Sequence, residues 1–250
     1  MIALLDIGNT HTHIGLANAR RVLRHEDVPT RDWRAGASQS AAARFLKNAP
    51  LTGAILCSVV PAVTPAAVDF LRTGFGLDCM ELTARTVRGV GIDYPKPNTI
   101  GPDRLANAVA AKHHFGAPSV VVDFGTAVTF DVLDAAGNYI GGIIAPGLNV
   151  MTDYLHEKTA LLPRIRIREV SAAVGRSTSQ AMLIGAVHGY RGLIRQLLRE
   201  LKRVLRCRRL PVVATGGCAR LISSKLPEIT AVEPLLTLEG LRLVWEARGQ

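Results

Sequence analysis

The chain has 250 residues, 48% of them apolar and 20% charged, a balance that excludes disordered, collagen-like and coiled-coil proteins. Its 30 lysines and arginines exceed its 20 acidic residues, and the net charge of +10 makes a nucleic-acid or membrane partner an alternative to be tested. No apolar run approaches the roughly 18 residues of a membrane helix, and the apolar start at 2–5 is too short for a secretory signal. The four cysteines form no Cys-x-x-Cys pair, so we expect reduced thiols in a cytoplasmic protein.

The first half of the chain is predicted to contain three strands, a helix, a fourth strand and a second helix. The strands are expected at 2–5, 13–16, 22–23 and 54–59, and the helices at 38–48 and 64–75. Prolines and glycines between 93 and 102 predict an irregular loop. A further helix is expected to begin at Asp103, because an acidic residue suits the first helical turn, and to continue to about Phe115.

The second half repeats this order of elements. Strands are predicted at 119–122, 128–133, 139–144, 212–214 and near 232, and helices at 150–161, 179–205, 219–225 and 235–247. The repeat is clearest where LLDIGNTHT, which contains Asp6, corresponds to VVDFGTAVT, which contains Asp123. Because the segment between the halves is short for a linker, we expect an α/β protein of two tightly associated domains, 1–117 and 118–250, with a cleft between them.

The two strand–Asp-x-Gly–Thr hairpins are the motif most directly related to chemistry. Glycine lets the backbone approach a ligand, and successive N–H groups with a threonine hydroxyl can bind phosphate oxygens. An aspartate cannot bind polyphosphate directly, so a cation such as Mg²⁺ must lie between them. One such hairpin alone is better explained as an ordinary β-turn. Two copies at equivalent points of a repeat favour a nucleotide phosphate site.

Three further motifs have both a functional and a purely structural interpretation. Gly216-Gly217 is either a surface for an adenine ring or a tight turn between a strand and a helix. The sequence Gly101 to Arg104 places a possible proton acceptor beside a guanidinium at a helix start, although an N-cap aspartate beside a solvated arginine is the simpler explanation. Gly141-Gly142 with Pro146-Gly147 is either a second close approach of backbone to ligand or a loop.

The seven histidines do not form a spacing typical of metal sites. His11 and His13 are expected to point alternately from their hairpin, and His113 and His114 lie near a helix end. We expect none of them to be a required metal ligand.

The motifs together resemble those of one kinase family. DIGNT at Asp6, GPDR at Gly101, VVDFGTAVTFD around Asp123, GGIIAPG at Gly141 and TGG at Thr215 resemble type III pantothenate kinases, within the actin, hexokinase and Hsp70 superfamily. The resemblance covers nearly the whole chain. It implies two duplicated actin-like (ribonuclease H-like) domains, each a mixed five-stranded sheet flanked by helices. It also implies a homodimer that phosphorylates pantothenate with ATP, the first step of coenzyme A synthesis, with neither nucleic acid nor membrane as a partner.

The resemblance also implies a role for individual residues. Asp103 matches the acceptor of the pantothenate hydroxyl proton, and Asp123 matches the ligand of an activating monovalent cation, K⁺ or NH₄⁺. ATP, with a divalent cation such as Mg²⁺, would contact Asp6, Ile7, Gly8, Asn9, Thr10, His11, Thr12, His13 and Thr126. Pantothenate would contact Tyr94, Gly101, Pro102, Asp103, Arg104 and Thr178.

The sequence departs from the family pattern in two places. His11-Thr12-His13 follows DIGNT where the family more often has an asparagine and a small or apolar residue, and Pro102 stands where a small residue is common. Neither change removes a catalytic group. A same-fold accessory protein and a kinase of another small alcohol remain the alternative functions.

The positive charge is concentrated in one segment. Between Lys158 and Arg209 there are 13 lysines and arginines against two acidic residues, a net charge of +11. Most lie at the end of the long predicted helix, which favours a solvated helix face over a nucleic-acid surface.

Overall fold

The structure is a computed structural model that describes residues 1–249, and it divides into two compact units. Unit 1 contains Met1–Phe115, Gly137–Ile140 and the segment from Leu235 onward, and unit 2 contains Gly116–Ala136 and Gly141–Pro234. The elements of the first 115 residues are β1 (Ile2–Ile7), β2 (His11–Ala17), β3 (Val22–Pro29), α1 (Ala37–Leu46), β4 (Gly53–Ser58), α2 (Thr64–Phe75), β5 (Cys79–Glu81), β6 (Gly91–Ile92) and α3 (Pro102–Phe115).

The elements that follow confirm the predicted repeat. They are β7 (Ser119–Phe124), β8 (Ala127–Leu133), β9 (Asn138–Pro146), α4 (Leu148–Lys158), α5 (Thr178–Ile184), α6 (Tyr190–Val204), β10 (Val212–Thr215), α7 (Ala219–Ser223), β11 (Ala231–Val232) and α8 (Leu236–Glu246). The helix expected over 179–205 is interrupted by a π-helical turn at Gly185–Gly189, which joins α5 to α6.

Each unit is built on a mixed sheet, as expected for the predicted α/β class. In unit 1 the order is β3-β2-β1-β4-β5, with β1 antiparallel to β2 and parallel to β4. In unit 2 the order is β11-β10-β7-β8-β9, with β7 antiparallel to β8 and parallel to β10. The central strands β1 and β7 are buried almost throughout, which is typical of a strand covered on both faces. In each unit the strand that carries the repeated pattern Asp-x-Gly is therefore central.

The C-terminal helix α8 belongs to unit 1 by packing. It lies against α3 and β1, and Gly240 allows the backbone of Ala106 to approach without a side chain between them. The Thr237 hydroxyl donates a hydrogen bond to Asn107 Oδ1 at 2.8 Å. Similarly, β6 pairs with Asn138 and Tyr139 at the start of β9. The division at 117/118 therefore describes the repeated order of elements, whereas packing assigns these later segments to unit 1.

The basic helix α6 has both a buried and an exposed face. Arg191 is buried, and its guanidinium donates two hydrogen bonds to Glu169, at 2.9 and 2.7 Å. This contact lowers the pKa of Glu169 to about 2. The prediction of a solvated basic face is confirmed for six residues at and just after the end of α6. These exposed residues are Arg199, Lys202, Arg203, Arg206, Arg208 and Arg209. No helix within residues 1–249 has the length and apolar character needed to cross a membrane.

Candidate active site

The turn after β1 is held in a fixed conformation by Thr30. The Gly8 N–H donates to the His11 carbonyl at 3.0 Å, which closes the turn. The Thr30 hydroxyl donates to the Gly8 carbonyl at 2.7 Å, and the Thr30 N–H donates to the Thr10 carbonyl at 3.0 Å. Asn9 is exposed within this turn. The segment predicted to bind phosphate is thus an ordered turn with exposed residues at its tip.

Two of the residues predicted to contact ATP direct their side chains into the core. Ile7 is fully buried, and so is Thr12, whose hydroxyl accepts a hydrogen bond from Trp33 Nε1 at 2.9 Å and lies 3.0 Å from the Thr30 hydroxyl. Side chains along a strand alternate between its faces, so these two point away from the face that carries Asp6. Only their backbone groups could serve a ligand at the turn.

Asp6 lies at the carboxyl end of β1 in an environment that disfavours its charge. Burial, and to a smaller extent repulsion from Asp103, raises its pKa to about 6, while attraction to His13 and a hydrogen bond from Cys57 oppose the shift. The Cys57 thiol donates to Asp6 Oδ1 at 3.3 Å. Unit 1 therefore brings the two predicted functional carboxylates, Asp6 and Asp103, within electrostatic range of each other.

Asp103 occupies the first turn of α3, and its carboxylate folds back over the loop that precedes the helix. Asp103 Oδ1 accepts a hydrogen bond from the Arg104 N–H at 2.9 Å. Burial raises the pKa of the carboxyl, and the contacts with Arg104 partly counter that effect. A Cβ at position 101 would lie 2.5 Å from Asp103 Oδ1, so glycine is required there for this placement.

This close approach gives a direct test of the local geometry. We expect Gly101→Ala to displace the Asp103 carboxylate and lower kcat by about tenfold or more, because a shift of 1 Å in a positioned group can cost about a hundredfold. Gly74→Ala, an open position in α2, is the matched control. Steady-state turnover of both variants tests this expectation, with circular dichroism as a check on folding. A wild-type kcat in Gly101→Ala would contradict the requirement for glycine at this position.

Tyr94 and Arg104 meet on one further side chain, Tyr139. The rings of Tyr94 and Tyr139 are in edge-on contact with centroids 6.2 Å apart, and the Arg104 guanidinium lies 5.7 Å from the Tyr139 centroid. Tyr139 is 1% exposed, whereas Tyr94 is 37% exposed. The buried ring thus supports two of the residues predicted to bind pantothenate.

In unit 2 the carboxylate of Asp123 lies against the Gly216-Gly217 turn. Asp123 pairs with Thr215 in the register of β7 and β10, and a Cβ at Gly216 would lie 2.5 Å from Asp123 Oδ1. Gly216 has φ +86°, a conformation that glycine adopts without strain. The Asp-x-Gly hairpin at Asp123 and the Gly216-Gly217 turn, which the sequence suggested as separate motifs, therefore lie side by side.

Two other predicted residues lie in unit 2. Thr126 is exposed, and its carbonyl accepts a hydrogen bond from the Gly147 N–H at 3.0 Å, which ties the hairpin turn to the Pro146-Gly147 motif. Thr178 is exposed as the first residue of α5. The preceding Ser177 caps this helix by accepting a hydrogen bond from the Gln180 N–H at 3.2 Å, so α5 begins at a defined position.

The expectation for His11 and His13 was wrong. Both lie in β2, where residues two apart share a face, and their ring centroids are 6.4 Å apart. His13 Nδ1 lies 2.7 Å from Asp27 Oδ1. Within residues 1–249 there is no group of three or more histidine, cysteine or acidic side chains placed to hold a metal ion.

Sequence reasoning missed three residues that touch the candidate site: Cys57, Asp27 and Tyr139. Cys57 lies beside Asp6 because β4 pairs with β1 in parallel register. Asp27 lies beside His13 because β3 pairs with β2. The alternation along each strand could have indicated the face, but the register between distant strands was needed to find the neighbours.

Comparison with known proteins identifies the family. The sequence profile of type III pantothenate kinases matches residues 2–200. The chain belongs to the type III pantothenate kinase family. A type III pantothenate kinase from Methylacidiphilum infernorum is 44% identical over 97% of this chain and 87% of its own length, and one from Akkermansia muciniphila is 46% identical over 96% of each. As a member of this family, the chain is a phosphotransferase.

Solved structures agree with the fold at much lower identity. A conserved Baf family protein from Campylobacter jejuni has a TM-score of 0.62 at 18% identity, covering 99% of this chain and 98% of that one. The Lmo2764 protein from Listeria monocytogenes has a TM-score of 0.56 at 12% identity, covering 100% of this chain and 99% of that one. These likenesses confirm the predicted fold class of two actin-like domains.

Proposed function

We propose that this member of the type III pantothenate kinase family phosphorylates pantothenate with ATP, giving 4'-phosphopantothenate, the first step of coenzyme A biosynthesis. The observation that supports this most strongly is the GPDR segment at the start of α3, where Gly101 makes room for the carboxylate of Asp103. Pantothenate-dependent release of ADP tests the proposal. Equal turnover of unrelated small alcohols, or none with pantothenate, would favour the alternative kinase or accessory function.

Asp103 is assigned as the acceptor of the pantothenate hydroxyl proton. Phosphoryl transfer passes through a loose transition state in which the attacking alcohol loses its proton late, so positioning matters more than basicity. Burial and the hydrogen bond from Arg104 hold the carboxylate in one place. Arg104, supported by Tyr139, supplies a positive charge near the substrate.

The remaining pantothenate contacts are assigned to Tyr94, Gly101, Pro102 and Thr178. Pantothenate carries a carboxylate, hydroxyls and an amide, so it requires hydrogen-bond donors as well as an apolar surface. The half-exposed Tyr94 offers both, because its ring packs on Tyr139 and its hydroxyl can donate. Thr178 offers a hydroxyl at the start of α5.

The turn from Asp6 to His13 is assigned to the phosphates of ATP, with Thr126 as a further contact. The exposed tip of the turn and its fixed backbone suit phosphate oxygens, which bind successive N–H groups. Asp6 repels polyphosphate, so ATP would bind here together with a divalent cation such as Mg²⁺. The Gly216 backbone packs directly against Asp123 and Phe124, whereas Gly217 is open, so Gly217 is the position of this turn that a ligand could approach.

Asp123 is assigned to an activating monovalent cation, K⁺ or NH₄⁺. Its carboxylate lies close to the backbone of the Gly216 turn and near Gly125 in the hairpin turn, and hard cations favour carboxylate and carbonyl oxygens as donors. We expect Asp123→Ala to lower turnover at least tenfold and to abolish the rise in rate when K⁺ replaces Na⁺. Rates measured with each salt at constant ionic strength test this, with Asp134→Ala as the control. Unchanged activation by K⁺ would place the cation elsewhere.

A homodimer is assigned as the working form. On α4 four apolar side chains are between 36% and 58% exposed: Val150, Met151, Tyr154 and Leu155. They recur at helical spacing on one face, and exposed apolar patches of this kind mark protein interfaces. A second copy of the chain is the assigned occupant. Sedimentation equilibrium should give twice the chain mass of 26.8 kDa, and a monomer at micromolar concentration would contradict the assignment.

The cytoplasm is the assigned location, with neither nucleic acid nor membrane as a partner. The basic residues of α6 are accompanied by Glu200, which accepts a hydrogen bond from Arg203 at 2.6 Å. No aromatic side chain is interleaved with the basic residues of α6 after Tyr190, as stacking on bases would require. A gel-shift assay at physiological salt tests this assignment, since persistent binding would oppose it.

A further inference from the structure

Four polar side chains lie in a row across the sheet of unit 1, at the level of Asp6. In the register of the strands, Asp27 on β3 is opposite His13 on β2, His13 is opposite Asp6 on β1, and Asp6 is opposite Cys57 on β4. Residues opposite one another in paired strands share a face of the sheet. The row therefore runs Asp27, His13, Asp6, Cys57, with acidic groups on both sides of the histidine.

The pair at one end of this row has a defined geometry. Asp27 Oδ1 lies 2.7 Å from His13 Nδ1, and because a carboxylate only accepts, the imidazole Nδ1–H donates. This contact fixes the ring orientation and favours the positively charged ring. His11 and His25 also lie near the Asp27 carboxylate and, with His13, lower the pKa of Asp27. Three imidazoles thus lie near the Asp27 carboxylate, and that of His13 is hydrogen-bonded to it directly.

A contribution to folding is a weak explanation for the pair. The side chains of His13 and Asp27 are 43% and 49% exposed, and exposed ion pairs contribute little to stability. Asp6, by contrast, is largely enclosed, and its negative charge opposes the binding of polyphosphate. A cationic ring opposite Asp6 reduces that repulsion at the place where the phosphates are assigned.

We propose that Asp27 is a positioning residue for ATP binding, which acts by holding the His13 imidazole, positively charged, beside Asp6 and the phosphate turn. The inference rests on the proposed ATP site at residues 6–13 and adds Asp27 to it. Asp27 lies across two strands from Asp6, and its own charge acts on the Asp6 carboxyl less strongly than the charge of His13 does, so its main effect is through His13.

The test compares Asp27→Asn, which keeps an oxygen acceptor but loses the charge, with wild type in the full-length protein. Isothermal titration with the β,γ-imido analogue of ATP and Mg²⁺ gives the dissociation constant, and steady-state rates give kcat and both KM values. We expect the affinity for the analogue to fall about tenfold and the KM for ATP to rise in parallel, the loss typical of a charge-assisted hydrogen bond. The KM for pantothenate should stay within about twofold of wild type.

A double-mutant cycle separates action through His13 from any independent effect. His13→Gln should weaken binding by a similar factor, and Asp27→Asn should add nothing in the His13→Gln background. Glu26→Gln, the neighbour of Asp27 on the opposite face of β3, is the matched control and should match wild type. Thermal melting of each variant should remain within a few degrees of wild type, as expected for an exposed pair.

The outcomes distinguish this inference from the proposed function. Wild-type affinity in Asp27→Asn, or additive losses in the double variant, would overturn the inference while leaving the kinase activity intact. Analogue binding by a wild-type protein with no pantothenate-dependent turnover would overturn the proposed reaction alone. Failure of the wild type to bind the analogue would overturn the ATP site and the inference with it.

Discussion

Asp103→Asn is expected to lower kcat for pantothenate phosphorylation by roughly 10²- to 10⁴-fold, the usual contribution of a positioned general base. Asparagine is nearly isosteric and can still accept the hydrogen bond from the Arg104 N–H, so the start of α3 should be preserved. It cannot accept the hydroxyl proton. The KM for pantothenate should therefore change little, while kcat and kcat/KM fall together.

The measurement is pantothenate-dependent ADP release under saturating ATP, with pantothenate binding followed separately by calorimetry. Asp78→Asn changes an exposed aspartate of unit 1 and serves as the control. A folded Asp103→Asn protein that turns over at more than a tenth of the wild-type rate would remove Asp103 from the base role.

Local patterns were sufficient to predict the repeated framework. Residues 2–16 and 119–133 form hairpins, and in each an apolar run ends at an aspartate that is followed by turn residues. The apolar run and the turn residues lie within a few positions of each other, so a local pattern is enough to show them. The helix predicted at 64–75 coincides with α2, because Gly76 ends it in a left-handed conformation. By contrast, β5 and β6 contain three and two residues, too few for any periodicity to show.

The site required information that no local pattern contains. The motif GPDR predicted a carboxylate at the start of α3, but not that this carboxylate lies over Gly101. The neighbours of Asp6 come from strand register, since Cys57 is 51 positions away in sequence. Thr12 was assigned to the ligand because it belongs to the motif, yet its hydroxyl bonds Trp33, a partner 21 positions away. Resemblance to a family thus identified segments, and packing determined which side chains within them face the site.

Asp6→Asn is expected to make the protein more stable at neutral pH while it lowers turnover by at least a hundredfold. Burial raises the pKa of Asp6 to about 6 in the folded protein, against a reference value of 3.8. Between these values the folded state binds more protons than the unfolded state, so this group's contribution to the free energy of unfolding falls as pH rises from about 4 to about 6. At pH 7 and above, the ionised carboxylate destabilises the fold by an amount that approaches about 3 kcal/mol, at 1.36 kcal/mol per pKa unit.

Asparagine at position 6 removes this cost, because it is neutral at every pH and its Oδ1 can still accept the Cys57 S–H. Solvent reaching the partly exposed side chain reduces the effect, so we expect about 1–2 kcal/mol and a rise in Tm of about 2–8 °C at pH 7.5. At pH 4 the wild-type carboxyl is mostly protonated, and the two proteins should melt together. Thermal melting of both proteins without ATP at the two pH values, together with the turnover assay at pH 7.5, makes the comparison.

If Asp6 is retained for function, Asp6→Asn must raise the melting temperature and at the same time lower the turnover. A stabilised, inactive Asp6→Asn protein is the result expected when a charge is kept in an unfavourable place because the divalent cation that binds with ATP needs it. Equal melting temperatures at pH 7.5 would show that His13 and Cys57 fully offset the burial of the carboxylate. Lower stability at that pH would show that they more than offset it, and Asp6 would then support the fold as well as the site.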